Sequence, residues 1–326
     1  MKNFANTLVS LCPRAPLAAL GLLASVAIAG FASDARADGL ATKPAALESS
    51  ARQSLSAEIA KVKAEKKDVR DRVRDVKGVK PEHYRKNRNP IPEASRELAA
   101  LGKDALFPML EALAFDAPQR GLTDKESEAL TMGMLSAVGD LRDARSAPVL
   151  RAALEGQSSS TRVAMVAATS LGKLCRKADR DYLKGALESG PRRKAAAYGL
   201  GECRNQESIE TLVSAVHDDD QAVRLEVVKA LGTAGSSWAW AARIRGGKAT
   251  EAEALSARNT AAEALLEAFV AHEDVRAEAK RSLLKTESPT LLSAIQGLKS
   301  GADAKLAADL AELEKAVEKQ EKRAKR

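Results

Sequence analysis

Side chains able to do chemistry are sparse in this sequence, and their spacing argues against most catalytic devices. The three histidines, His83, His217 and His272, stand far apart. No His-Glu-x-x-His helix puts two imidazoles on one face for a metal, and no Gly-x-Ser-x-Gly turn offers an activated serine. Gly246-Gly247-Lys248 superficially looks like a phosphate loop, but position 242 is Ala where that loop needs Gly, and no strand pattern precedes it. Asp218, Asp219 and Asp220 are consecutive, and consecutive residues on one turn rarely converge on a cation, which needs several oxygen ligands at once. A capped, solvated turn is the expectation there. No catalytic residue, metal-ligand set or cofactor is assigned.

The remaining candidates suit binding. Both tryptophans, Trp238 and Trp240, lie in one short stretch with Arg243, Arg245 and Lys248. Trp and Arg are enriched at binding hot spots, so this stretch is a candidate recognition site, weighed against two indoles that simply pack. A second candidate is the Pro-bounded stretch around His83, with Tyr84, Arg85, Lys86 and Arg88. Its charge suits an anionic surface such as cell-wall polymer, lipid headgroups or an acidic protein, or else plain solvation. Cys175 and Cys203 leave two readings open, a disulfide or two buried thiols. Neighbouring helix axes lie about 8–10 Å apart, whereas bonded cysteine Cα atoms lie within about 7 Å.

The elements that hold these groups repeat. Leu135-Ser-Ala-Val138-Gly139-Asp140, Leu171-Gly172-Lys-Leu174, Leu200-Gly201-Glu-Cys203 and Leu231-Gly232-Thr-Ala234 carry one phrase, with leucine steps of 36, 29 and 31 residues. A period of roughly 20–50 residues marks a repeat architecture. Between the phrases, apolar residues recur at helical spacing in pairs of short segments, as in Pro148–Leu154 followed by Val163–Leu174. Aromatic residues are 3% of the chain, and almost no segment alternates with a period of two, which fits stacked helices rather than a sheet. Thr123 with Glu126 reads as a capping box opening one helix. The repeat is interrupted at 236–258, where the tryptophans lie, and insertions in a solenoid map to surface loops.

These phrases resemble the HEAT-like repeat family, in the short variety first noted in phycobilin lyases, here as an exported, bacterial-type member. The matching residues are Val223-Arg224, Leu231-Gly232, Gly139-Asp140, Ala147-Pro148-Val149-Leu150 and Ala153-Leu154. The resemblance covers roughly residues 95–300 and implies an all-α solenoid of stacked antiparallel helix pairs. It carries over no chromophore site. The iron-binding HEAT hydroxylases carry several His-Glu pairs, and His272-Glu273 is the single such pair here. The HEAT-like DNA glycosylases act inside the cell, against the export expected below.

The flanks complete the organisation. Lys2 and Arg14, an apolar run over 17–32 and Ala35-Arg36-Ala37 have the layout of a secretory signal, cleaved after Ala37. The alternative is an uncleaved N-terminal anchor. Over 38–91, Leu55, Ile59, Val62, Val69, Val73 and Val76 form a heptad pattern in which Lys66 fills the missing core position. That pattern predicts a long amphipathic helix lying on the solenoid, with self-association through 55–76 as the alternative, followed by the basic linker. The solenoid is expected over 92–301 and a charged terminal helix over 302–326, whose Leu306, Leu310, Leu313 and Val317 spacing would let it pair with the N-terminal helix. The net charge is +8, but residues 47–91 alone hold 13 Lys/Arg against 7 Asp/Glu. This is one basic arm on a near-neutral body, which together with export argues against nucleic acid as a partner. The expectation is a non-catalytic, exported (periplasmic or secreted) scaffold for a protein partner. A basic-arm module for anionic envelope polymer or lipid is the alternative, and an enzyme of unrecognised type stands behind both.

Overall fold

The computed structural model describes residues 38–76, 93–117, 123–156 and 160–324. The expected signal segment, the basic linker residues His83, Tyr84, Arg85, Lys86 and Arg88, and residues 157–159 lie outside them. The described residues form helices without strands. After α1 (Ser49–Glu65) and α2 (Lys67–Asp75) come α3 (Glu93–Ala99), α4 (Leu106–Ala114), α5 (Asp124–Leu141), α6 (Ala147–Glu155), α7 (Thr161–Leu174) and α8 (Lys177–Ser189). Then follow α9 (Arg193–Cys203), α10 (Gln206–Val213), α11 (Gln221–Ala234), α12 (Ser237–Arg245), α13 (Glu251–Ala271), α14 (Arg276–Thr286), α15 (Leu291–Lys299) and α16 (Ala304–Ala324).

The helices stack as an all-α solenoid. One row runs α3, α5, α7, α9, α11 and α14, each packed on the next, with α4, α6, α8, α10 and α13 against it as the second helix of each pair. Local sequence starts and stops these helices. Thr123 caps α5 through the expected box, its backbone N–H donating to Glu126 Oε2 at 2.9 Å, and Pro148 sits in the first turn of α6, where its missing N–H costs nothing. The leucines of the repeated phrase, Leu135, Leu171, Leu200 and Leu231, are fully buried.

The glycine of each phrase faces a small residue of the next helix in the row. A Cβ on Gly139 would meet Ser170, one on Gly201 would meet Ala230, and one on Gly232 would meet Ser282. At Gly172 the imaginary Cβ lies 2.0 Å from the carbonyl oxygen of Gly199, so only glycine lets α7 and α9 come this close. The small partner stands immediately before the next buried leucine, as in Ser170-Leu171 and Ala230-Leu231. The phrase is therefore a two-sided helix contact written in four letters.

The ends differ from the heptad expectation. The N-terminal helix is broken at Lys66, whose φ of −132° separates α1 from α2 and whose ammonium pairs with Asp104. The apolar seam faces the solenoid: Leu55, Ile59, Val73 and Val76 are buried, and both helices pack on α4. The seam considered for self-association is therefore occupied within the chain. Arg70 closes this contact on the carboxylate of Glu111, at 2.8 and 3.0 Å, with Lys63 3.5 Å away. Burial alone would raise the Glu111 pKa, but the hydrogen bonds and charge of Arg70, with Lys63 and Arg74, hold it below the ordinary glutamate value. At the other end α16 packs on α15 and α14, burying Leu310, Leu313 and Val317. The expected pairing of the two terminal helices is replaced by two separate caps, each covering one end of the stack.

Candidate recognition surface

The interruption of the repeat is helical, not a loop. Residues 237–245 form α12, and 251–258, read from sequence as part of the insertion, are the first turns of α13, opened by a Thr250–Glu253 capping box. The row continues past it, because Gly232 of α11 meets Ser282 of α14. What is added is one helix and the link to α13.

The two tryptophans on α12 have opposite environments. Trp240 is 3% exposed, and its Nε1 donates to the carbonyl of Ala234 at 2.7 Å. It closes the end of α11 and is a packing residue. Trp238 is 61% exposed, and the guanidinium of Arg204 lies 4.9 Å from its ring centroid. Arg204 is the C-cap of α9 with φ 52°, and it also donates to Glu202 Oε2 at 3.1 Å. Tyr198, 37% exposed, has its pKa raised by burial and by the charges of Glu202 and Glu226, with the same arginine opposing.

Arg243 lies 5.3 Å from the Trp240 ring and donates to the carbonyl of Lys248 at 3.2 Å. Burial lowers its pKa; Glu253 opposes that shift, and the positive charges of Arg142 and Arg204 add to it. Arg142 is the exposed C-cap of α5, with φ 53°. Arg245 and Lys248 are exposed. Of the five sequence candidates here, Trp238, Arg243, Arg245 and Lys248 remain available to a partner at least in part. Arg204 and Arg142 were missed because they belong to distant phrases. The signal for them was a charged residue where a helix C-cap favours glycine.

A disulfide joins Cys175 and Cys203, with Cα atoms 5.2 Å apart. The axis-distance estimate is too long for this pair, because the Gly172–Gly199 contact draws α7 and α9 together one turn earlier. Cys203 is bonded immediately before Arg204, so the bridge anchors the backbone that carries the guanidinium over Trp238.

Of two further groupings, the histidines differ from their sequence reading and the acidic turn is capped as expected. His217 and His272, separated by 55 residues, meet with Nδ1 and Nε2 2.8 Å apart, because α10 and α13 are neighbours. The acidic turn is a cap and a clamp. Asp220 accepts from Ala222 and Val223 N–H at 2.8 and 3.3 Å, and Asp218 pairs with Arg193. The arginines of the repeat are paired onward, Arg224 to Asp274 and Arg276 to Asp309, each at 2.7 Å. Among the described residues no group of three or more His, Cys, Asp or Glu is placed to hold a metal ion.

Comparison with known proteins agrees with this architecture over one stretch. Residues 191–244 match the family model for HEAT repeats. The matched stretch runs from the turn before α9 through most of α12, so it includes both tryptophans. HEAT repeats generally mediate contacts between proteins. No curated protein matches the chain. Among solved structures, human deoxyhypusine hydroxylase in complex with glycerol is similar at 16% identity, over 80% of this chain and 96% of that one, with a TM-score of 0.31. At that score the likeness says nothing of architecture or activity here.

Proposed function

We propose that the protein is a non-catalytic scaffold of short HEAT-type repeats, exported to the cell envelope, that presents Trp238 and the surrounding arginines to a protein partner. The observation that carries this reading is the exposure of Trp238. An indole 61% open to solvent, stacked under an arginine on a helix added between two pairs of the row, is costly to leave bare and is of the type that anchors interfaces. The repeat supplies a rigid support, since each helix is packed on both sides along the row.

Export is supported by the leader-like residues 1–37 and by the Cys175–Cys203 bridge, a bond that persists in oxidising compartments. Cleavage after Ala37 also leaves a start the fold can use, because Leu40 and Ala41 N–H donate to the carbonyls of Ala112 and Leu113 at 3.0 and 2.9 Å. A second reading, favoured by the excess of basic residues over 47–91, is a module for anionic envelope polymer or lipid in which the basic linker makes the contact. Affinity capture from envelope extracts, with the Trp238→Ala variant as control, tests the first reading. Partners retained equally by wild type and variant would overturn it. Retention lost in moderate salt but indifferent to Trp238 would favour the second.

A further inference from the structure

We propose that the surface around Trp238 receives an acidic segment of a partner protein, with carboxylates taken by Arg142, Arg204 and Arg243; this rests on the reading of Trp238 as a contact residue. The first support is a contrast in charge pairing. At the repeat position seven residues before a buried leucine the chain neutralises its arginines one by one, Arg193 on Asp218, Arg224 on Asp274 and Arg276 on Asp309. Around α12 it does not. Three guanidinium groups from three elements, the C-caps of α5 and α9 and the last turn of α12, lie close enough for Arg142 and Arg204 both to act on Arg243. Among the described residues neither Arg142 nor Arg243 makes an ion pair. Glu202 pairs with Arg204 alone, and Glu253, bonded to the Thr250 cap at 2.7 and 2.9 Å, acts on Arg243 from beyond ion-pair distance. Three guanidinium groups thus share two carboxylates, and the exposed Arg245 and Lys248 add to the excess of positive charge.

The second support is the company this charge keeps. Trp238 and the half-open Tyr198 offer apolar area beside the guanidinium groups, the mixture that recognises a peptide carrying acidic and apolar residues. The third is preorganisation. Arg204 follows a bonded cysteine and leans on an indole, so ordering it on binding costs little. Nucleic acid fits less well, because its affinity comes from neutralising many phosphates along a track, and three arginines on one spot offer no track.

The protein has two tryptophans and only Trp238 is open, so tryptophan emission reports this surface. The full 326-residue sequence is expressed and the purified protein titrated at low salt with a capped hexaglutamate peptide, alongside hexalysine, oligothymidine and phosphatidylglycerol vesicles. Hexaglutamate should shift the emission saturably and more strongly than the other probes. The Arg142→Gln/Arg243→Gln double variant should weaken its binding about tenfold, with an unchanged circular dichroism spectrum. Should the Arg243 change disturb folding, Arg142→Gln alone, at an exposed helix end, should still weaken binding. Hexaglutamate acting no better than hexalysine, equal binding by the folded variants, or arginine-dependent binding of oligothymidine or vesicles instead would overturn the proposal. Capture lost on Trp238→Ala with no response to hexaglutamate would overturn the acidic class and leave the contact reading standing. Capture indifferent to Trp238 would overturn both.

Discussion

The row of helices from α5 to α11 and the helix that interrupts the repeat, α12, follow opposite rules within one chain. In the row, small residues bring backbones together until a single Cβ at Gly172 would strike the carbonyl of Gly199, and each repeat arginine finds an aspartate on its neighbour. On α12 a large aromatic side chain is left open, and Arg243 makes no ion pair among the described residues, Glu253 acting on it only from further off. The row nevertheless passes the interruption intact, through Gly232 and Ser282. A stack whose members touch only their neighbours can carry an added helix between two pairs without loss of register, and what is added is free to vary for binding.

If that division is right, its sharpest internal boundary runs between two residues of α12 itself. Trp240 belongs with the stack, buried and bonded to Ala234, so Trp240→Ala should cost about 4 kcal/mol in chemical denaturation. A cost below about 1 kcal/mol would place all of α12 outside the structural core. The disulfide is the next test. It closes a loop of 28 residues between adjacent repeats, and the chain-entropy account assigns such a loop about 3.5 kcal/mol. Denaturation midpoints with and without reductant, and for the double change of Cys175 and Cys203 to Ala, should agree on the loss.

Gly172→Ala tests the row directly. Alanine gains about 1 kcal/mol in helix propensity, but the added methyl meets backbone, which cannot rotate away, so a net loss of about 2 kcal/mol is expected. The same change at Gly185, which has open space around its Cβ position, should stabilise. A gain at both sites would mean the two helices are not in contact at Gly172.

That the row exists was legible because buried leucines and close-contact glycines must recur wherever helices stack, and Leu135, Leu171, Leu200 and Leu231 obey this. The interruption was legible as a break but not as a helix, since Ser237–Arg245 is too short and too mixed to show a face. Arg142 and Arg204 were legible singly, as charged residues at helix ends, but their meeting with Arg243 depends on where α12 lies, which no spacing encodes. The His217–His272 contact was hidden for a related reason, since it requires α13 to fall beside α10 across the interruption.

That histidine contact gives the division a pH dependence. Burial lowers the His272 pKa below 6.5, Arg224 and His217 lower it further, and Asp274 opposes them. Glu267 faces His217 Nε2 at 3.9 Å. The unfolded chain therefore takes up this proton more readily than the folded one. The contribution to stability is complete above about pH 6.5 and is lost as the pH falls through the lower folded value. Melting temperature should fall modestly between pH 7 and 5, and His272→Gln should flatten that part of the profile. An unchanged slope in the variant would remove the histidine contact from the forces joining α10 to α13.

The smallest effect on stability is the most telling. Trp238→Ala removes the same side chain type as Trp240→Ala, two residues away on the same helix, yet the ring already stands in solvent. Its stacking with Arg204 is an exposed cation–π contact worth about 0.5–1 kcal/mol at most. Denaturation should therefore shift by no more than about that amount, with Arg204 still held on Glu202. If the loss instead approached that of Trp240→Ala, Trp238 would be a structural residue, and the exposed indole would owe its place to the fold. A near-silent change in stability that abolishes capture of a partner would separate the two tryptophans by role, one belonging to the stack and the other to what the stack presents.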